Sequence, residues 1–194
     1  MTRIAQAPAK GLFRKYVYRE ARKRYDKDLE PMGVMGHSPK TLLAVGGFEL
    51  PLEKFKKVDK RLMYLGETKA AIMVGCEFCI DIASHITAGQ GVTDEQLLAL
   101  PRHRENAELF TQLELAVLDY AEAMTKTPAE VTDEIFDAVR AHLDEAQMVE
   151  LTAAIAWENW RARFNWAFDI GAAGFREGAA CPVPVHTEQT ATAA

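Results

Sequence analysis

Apolar residues recur three and four positions apart along nearly the whole chain, the spacing that lines one face of an α-helix. No stretch alternates with the period of two that marks a half-buried strand, so the pattern predicts an all-α protein. A first helix is expected from about Leu12 to Leu29, with Phe13, Val17, Ala21 and Tyr25 on one side, ended by Pro31-Met32-Gly33. Ser38-Pro39 reads as an N-cap followed by proline at the first helical position, opening a short helix through Thr41-Leu42-Leu43. Gly46-Gly47 and Pro51 then separate it from a longer helix over about Leu52 to Val74.

Gly75 breaks that helix, and a new one starts near Cys76 and stops around Gly89-Gln90-Gly91. Thr93 with Gln96 forms the pattern of a capping box. Pro101 to Arg104 is polar and is expected to be a loop. Helices follow at about Ala107–Thr125, Thr132–His142 and Glu145–Gly171, the last two opened by the capping patterns at Thr132 and Asp144. The expected organisation is a helical arm over 1–34, a compact helical domain over 35–178 and a flexible tail over 179–194. Its last part, from Val183, is rich in Thr, Ala and Pro and is expected to be disordered.

Composition narrows the class of partner. In 194 residues, 48% are hydrophobic, enough for a sizeable core, and the net charge of −5 argues against nucleic-acid binding. The N-terminal 28 residues run the other way, with nine Lys/Arg against three acids, a bias read as a solvated helix face. No apolar run approaches the roughly 20 residues of a membrane span, and the N-terminus lacks the apolar stretch of a secretory signal, so the expected address is cytoplasmic.

In a reducing compartment, two close cysteines point to redox or metal chemistry. Cys76 and Cys79 stand three apart on a predicted helix and project from one face; Cys181 is assigned to the tail. Their Cα separation, about 5–5.5 Å by helix geometry, falls within what a disulfide tolerates, roughly 4.4–6.8 Å. With Gly75 breaking the helix before it, Cys76 lies at an N-terminus, where the dipole favours a thiolate. Such a thiolate attacks a peroxide or a disulfide, and its neighbour resolves the product. Two other readings stand beside this one. The cysteines are core residues of a helix made partly apolar by Ile80, Ile82 and Ile86, or they bind zinc, for which only His85 is nearby.

The run Gly75-Cys76-Glu77-Phe78-Cys79-Ile80-Asp81 resembles the redox motif of the alkylhydroperoxidase D-like members of the carboxymuconolactone decarboxylase superfamily. His37-Ser38-Pro39 before a short helix, Leu113 to Ala121, and Ile155-Ala156-Trp157-Glu158-Asn159 leading to Arg163-Phe164-Asn165 fit the same family, across roughly residues 35–175. The resemblance implies a compact all-helical fold and a homo-oligomer, commonly a trimer or hexamer. It implies reduction of a small hydroperoxide, with a thioredoxin-like or lipoyl protein as electron donor and no cofactor. The peroxidase members carry a proton-relay glutamate twelve residues before the first cysteine and a histidine four after the second. Tyr64 and Ala83 hold those positions here.

A substitute relay is therefore sought in the residues themselves. His85 lies about 180° round the helix from Cys76 and about 120° from Cys79, and is expected to pair with Asp81 on an exposed face. Glu67 is better placed: its neighbours three and four away, Met63, Tyr64, Ala70 and Ala71, are uncharged. An acid on such a stripe is either paired with an Arg of another helix or used as an acid–base group with a raised pKa. The candidate site is thus Cys76, Cys79, Glu67 and Tyr64, with Cys79 favoured as the attacking thiol by the resemblance and Cys76 by the helix dipole. Glu114, Asn159, Arg163 and Asn165 are expected chiefly as a structural hydrogen-bond network, and His37, His103 and His142 as exposed or capping residues. Three functions remain open: a hydroperoxide reductase, a redox sensor or assembly protein, and a lactone decarboxylase-like enzyme, against which the intact dithiol weighs.

Overall fold

The computed structural model describes residues 2–179 together with 181 and 182. The sequence from 183 onward, expected to be disordered, lies outside them. Among the described residues there are nine α-helices, one 3-10 stretch and no strand. They are α1 (Leu12–Tyr25), α2 (Glu30–Met35), α3 (Pro39–Leu52), α4 (Lys60–Val74) and α5 (Glu77–Ala88). After α6 (Asp94–Ala99) and the 3-10 stretch Leu100–Leu109 come α7 (Gln112–Thr125), α8 (Asp133–Arg140) and α9 (Glu145–Ala167). No helix among the described residues is long and apolar enough to cross a membrane.

Helix α4 is the hub, packed against α9, α7 and α5. Its Met63, Leu65, Ala70 and Ala71 are fully buried, and Gly66 lets α9 approach closely. A Cβ there would lie 3.0 Å from the side chain of Ile155, tighter than an ordinary contact. That close approach brings the residue after Gly66, Glu67, against the polar residues of α9.

The helix starts follow their side chains. Ser38 accepts from the Thr41 N–H, Thr93 and Gln96 form a reciprocal capping box, and Asp144 with Gln147 forms another. Several expected boundaries shift. Asp26 adopts a left-handed conformation that ends α1 early, and Pro31 sits in the first turn of α2 rather than closing α1, where a missing N–H costs nothing. Gly46-Gly47 do not break α3, and Pro51 is held in its last turn. The real break is Glu53–Asp59, after which Asp59 caps α4. Pro101 to Arg104 lies within the 3-10 stretch Leu100–Leu109 rather than in a loop, and that stretch is kinked at Arg102 and Asn106.

Beyond α9 the chain folds back over α5, and a buried acid of that helix holds its backbone. Asp81, buried, accepts the backbone N–H groups of Ala173, Phe175 and Arg176 at 2.8–2.9 Å. It does not share an exposed face with His85: three buried donors are worth more to a carboxylate than one solvated imidazole. The N-terminal segment is tied to the same end of the molecule. Arg3 N–H donates to Phe168 O and Ala7 N–H to Gly33 O, while Lys27 Nζ donates to Ala173 O and Gly174 O at 2.7 Å each.

Candidate active site

Gly75 adopts φ +79°, a left-handed conformation suited to glycine, and closes α4 with its N–H on Ala71 O and Ile72 O. The chain turns there, and Cys76 becomes the N-cap of α5, its Sγ accepting the Cys79 N–H at 3.2 Å. The two thiols are free, buried, and one helical turn apart at the start of a helix. An apolar shell surrounds them, including Ala71, Phe78, Ile80 and Ala162. Cys181 packs against this shell as well and lies 3.9 Å from Ser84 Oγ through its Sγ.

One face of α9 closes over Cys79. Asn165 Nδ2 donates to Cys79 Sγ at 3.3 Å. Burial pushes the Cys79 thiol well up, and the neighbouring Cys76 and the negative charge of Glu158 push it the same way; the Asn165 bond opposes them. Glu158 is 3% exposed. Its carboxyl is raised by the same desolvation, with Arg161 and the Cys79 thiol pulling against it.

Arg161 organises the rest. Its guanidinium lies 2.6 Å from Glu158, 3.3 Å from Glu67 and 3.2 Å from Glu49. Glu49 also accepts the Trp157 indole N–H at 2.9 Å. Glu67 is 4% exposed, and burial pushes its carboxyl up to about 8, against the pull of Arg161. Both properties considered for Glu67, pairing with an arginine of another helix and a raised pKa, are therefore present at once. Tyr64, one turn earlier on α4, is half-buried against the core, with its phenol raised by burial and by Glu67.

Among the described residues, four buried polar atoms of this cluster have no hydrogen-bond partner: Glu67 Oε1, Glu158 Oε1, Asn165 Oδ1 and Arg161 Nε. Buried polar groups are almost always paired, so four unpartnered atoms in one cluster set this part of the interior apart from the ordinary core. Among the described residues no cluster of three or more His, Cys, Asp or Glu suits a metal ion.

The other candidates separate. His85 is exposed beside the Phe175 ring. Asn159 and Arg163 bond the end of α7 through Thr125, and Glu114 pairs with Arg61 while capping the start of α7, so these three make structural hydrogen bonds at the two ends of that helix. Asn165 leaves that group for the thiol. His103 is a correction: it is 2% exposed, its Nε2 lying 2.7 Å from Asp119 Oδ1, because the 3-10 turn swings it under α7. Glu158 and Arg161 were not singled out in the sequence. The available signal was their spacing: residues 158, 161 and 165 share a face with the apolar Ala154 and Ala162, as Glu67 does on α4.

This helical order, with a Cys-x-x-Cys pair opening the helix after the central one, makes the chain an alkylhydroperoxidase D-like member of the carboxymuconolactone decarboxylase superfamily. The chain is 35% identical to the uncharacterised YnjA of Escherichia coli over 164 residues, covering 84% of this chain and 87% of that one. A structure from Agrobacterium tumefaciens, a protein of unknown function and putative antioxidant defence protein AhpD, matches at 26% identity and TM-score 0.66. That match covers 71% of this chain and 94% of the other. The debrominase Bmp8 has the same fold at 22% identity and TM-score 0.75, covering 90% and 94%. No family model matches the chain.

Proposed function

We propose that the protein is a thiol-dependent oxidoreductase that reduces small hydroperoxides by cycling Cys76 and Cys79 between dithiol and disulfide. The observation that carries this reading is the placement of two free thiols at a helix start beneath a buried acid cluster with unpartnered polar atoms. Structural cysteines need no such surroundings, whereas peroxide reduction needs a nucleophile, a resolving thiol and a proton source together. Cys79, which faces the acids, is the attacking thiol, and Cys76 resolves. Glu67, with Tyr64 beside it, supplies proton-holding capacity behind them. A thioredoxin-like or lipoyl protein, in a reducing compartment such as the cytoplasm, is the electron donor that recharges the pair.

The test is consumption of tert-butyl hydroperoxide with dithiothreitol as the donor. Turnover should be abolished in Cys79→Ser and in Cys76→Ser, and oxidation should remove two thiols when Cys181 is replaced by Ser. Glu67→Gln should lower turnover at least tenfold, about 1.4 kcal/mol of barrier, whereas His85→Ala should cost little. The opposite ranking rejects Glu67. A protein that forms the disulfide without turning over peroxide is a redox sensor instead. The neighbouring debrominase makes a halogenated pyrrole a useful second substrate in the same assay.

A further inference from the structure

A buried thiol that attacks a peroxide must give up its proton inside the protein, and a proton must reach the departing oxygen in the same place. Cys79 is 3% exposed, so bulk water does neither. The side chains acting on it are Cys76 at the start of its own helix and Glu158, Arg161 and Asn165 from α9, Arg161 being a cation and no base. Asn165 meets the sulfur with its N–H donor, and an amide is no base. Glu158 is therefore the base that faces the thiol among the described residues.

Its geometry suits the task. One oxygen, Oε2, is fixed by Arg161 at 2.6 Å, while Oε1 is buried and unpartnered. Glu158 is surrounded by Cys79 on α5, Glu67 on α4, Glu49 on α3 and Arg161 on its own helix. Tyr64 and Lys60 lie behind Glu67. One guanidinium thus serves three carboxylates, two of them buried. A single positive charge does not balance two buried negative ones, so one proton stays on the Glu67–Glu158 pair.

We propose that Glu158 is the catalytic acid–base of Cys79, with Arg161 and Glu67 as positioning residues that fix its carboxylate and retain the second proton. This rests on the peroxide-reducing reading above. As Cys79 Sγ attacks the terminal oxygen of ROOH, its proton passes to Glu158; the S–O bond forms and the O–O bond breaks. The sulfur is oxidised by two electrons and the peroxide is reduced by two. Glu158 returns the proton to the departing alkoxide, which leaves as ROH. Cys76 Sγ then displaces the sulfenic hydroxyl of Cys79: the S–S bond forms, the S–O bond breaks, and the Cys76 proton departs with the hydroxyl as water. An external dithiol reduces the disulfide and is itself oxidised to one. Burial raises the Glu158 carboxyl and the Cys79 thiol in the same direction, so both groups hold their protons more tightly than they would in water.

The experiment follows thiol loss in the reduced full-length protein, with Cys181 replaced by Ser, after mixing with tert-butyl hydroperoxide between pH 5.5 and 9. Trapping of the sulfenic acid in a Cys76→Ser background isolates the first step. Glu158→Gln should slow that step at least a hundredfold at pH 7. Its rate should then climb with thiol ionisation toward pH 9, so the profile changes shape. Glu158→Asp should restore part of the rate. A purely structural role predicts the same loss at every pH and no rescue. A Gln variant within threefold of its parent, or a parallel pH profile, overturns the proposal while leaving the peroxide reading intact. A parent that does not react with peroxide overturns both.

Discussion

Arg161 lies between three carboxylates, and the one least able to ionise is Glu67, buried and held up to about 8. A carboxyl raised from its ordinary 4.5 binds its proton more tightly in the folded protein. Its stabilising contribution is then complete below the unfolded pKa, and is lost as pH rises through the window from 4.5 to about 8. Each unit is worth at most about 1.4 kcal/mol, so between pH 6 and 8 the parent should lose up to about 3 kcal/mol that Glu67→Gln does not. Melting curves at the two pH values measure this, at about 2–4 °C per kcal/mol for a chain of this size. Equal falls in parent and variant would show that Glu67 stays ionised on Arg161. The acid was legible in the sequence because its helical neighbours are all uncharged. Glu158 was not, since its own flanks on α9 include Asn159 and Arg161, and a mixed polar run reads as surface until the partner helix is known.

At the scale of elements, side-chain signals at helix starts were readable: Ser38, Thr93, Thr132 and Asp144 each cap where their sequence says. Breaks were less so. Gly46-Gly47 stay helical with nothing packed where a Cβ would stand, whereas Gly75 takes a left-handed conformation and ends its helix. The return of the chain over α5 has no local signature, since its backbone is met by distant side chains, Asp81 accepting three N–H groups and Lys27 donating to two carbonyls. Asp81 makes that clasp testable. Asp81→Ala leaves the N–H groups of Ala173, Phe175 and Arg176 without their acceptor. A buried unsatisfied donor costs about 1–3 kcal/mol. The expected outcome is a melting temperature lower by several degrees, with faster amide exchange at 173–176 and thiols more reactive toward a bulky alkylating reagent. Unchanged exchange there would mean the segment is held by its other contacts, the Lys27 bonds to Ala173 O and Gly174 O among them.

Over the whole molecule, the remaining question is what covers α3. Its sequence is apolar nearly all round, as expected of a buried helix, yet only Leu42 and Leu52 are buried. Leu43 and Leu50 are 64% and 60% exposed. Beside them runs a ladder of rings: Phe48 stacks on Trp157 at 4.3 Å, Trp157 on Trp160 at 4.7 Å, and Trp160 on Phe164 at 5.3 Å. Contiguous apolar surface of this kind is uncommon on a monomer and marks an interface. The partner expected there is a second copy of the chain, since closed symmetric homo-oligomers are the commonest assemblies. The same ladder reaches the acid cluster through Trp157, Glu49 and Arg161, so assembly would also shield Glu49 and Arg161, the partly exposed members of that cluster. Light scattering should therefore give a multiple of 21.6 kDa, a trimer or hexamer by family resemblance. Leu43→Lys with Leu50→Lys should dissociate it, since each buried leucine contributes about 1.5–3 kcal/mol and a buried lysine opposes contact. A parent that scatters as a monomer at micromolar concentration, or a double variant that stays assembled, would move the interface away from α3.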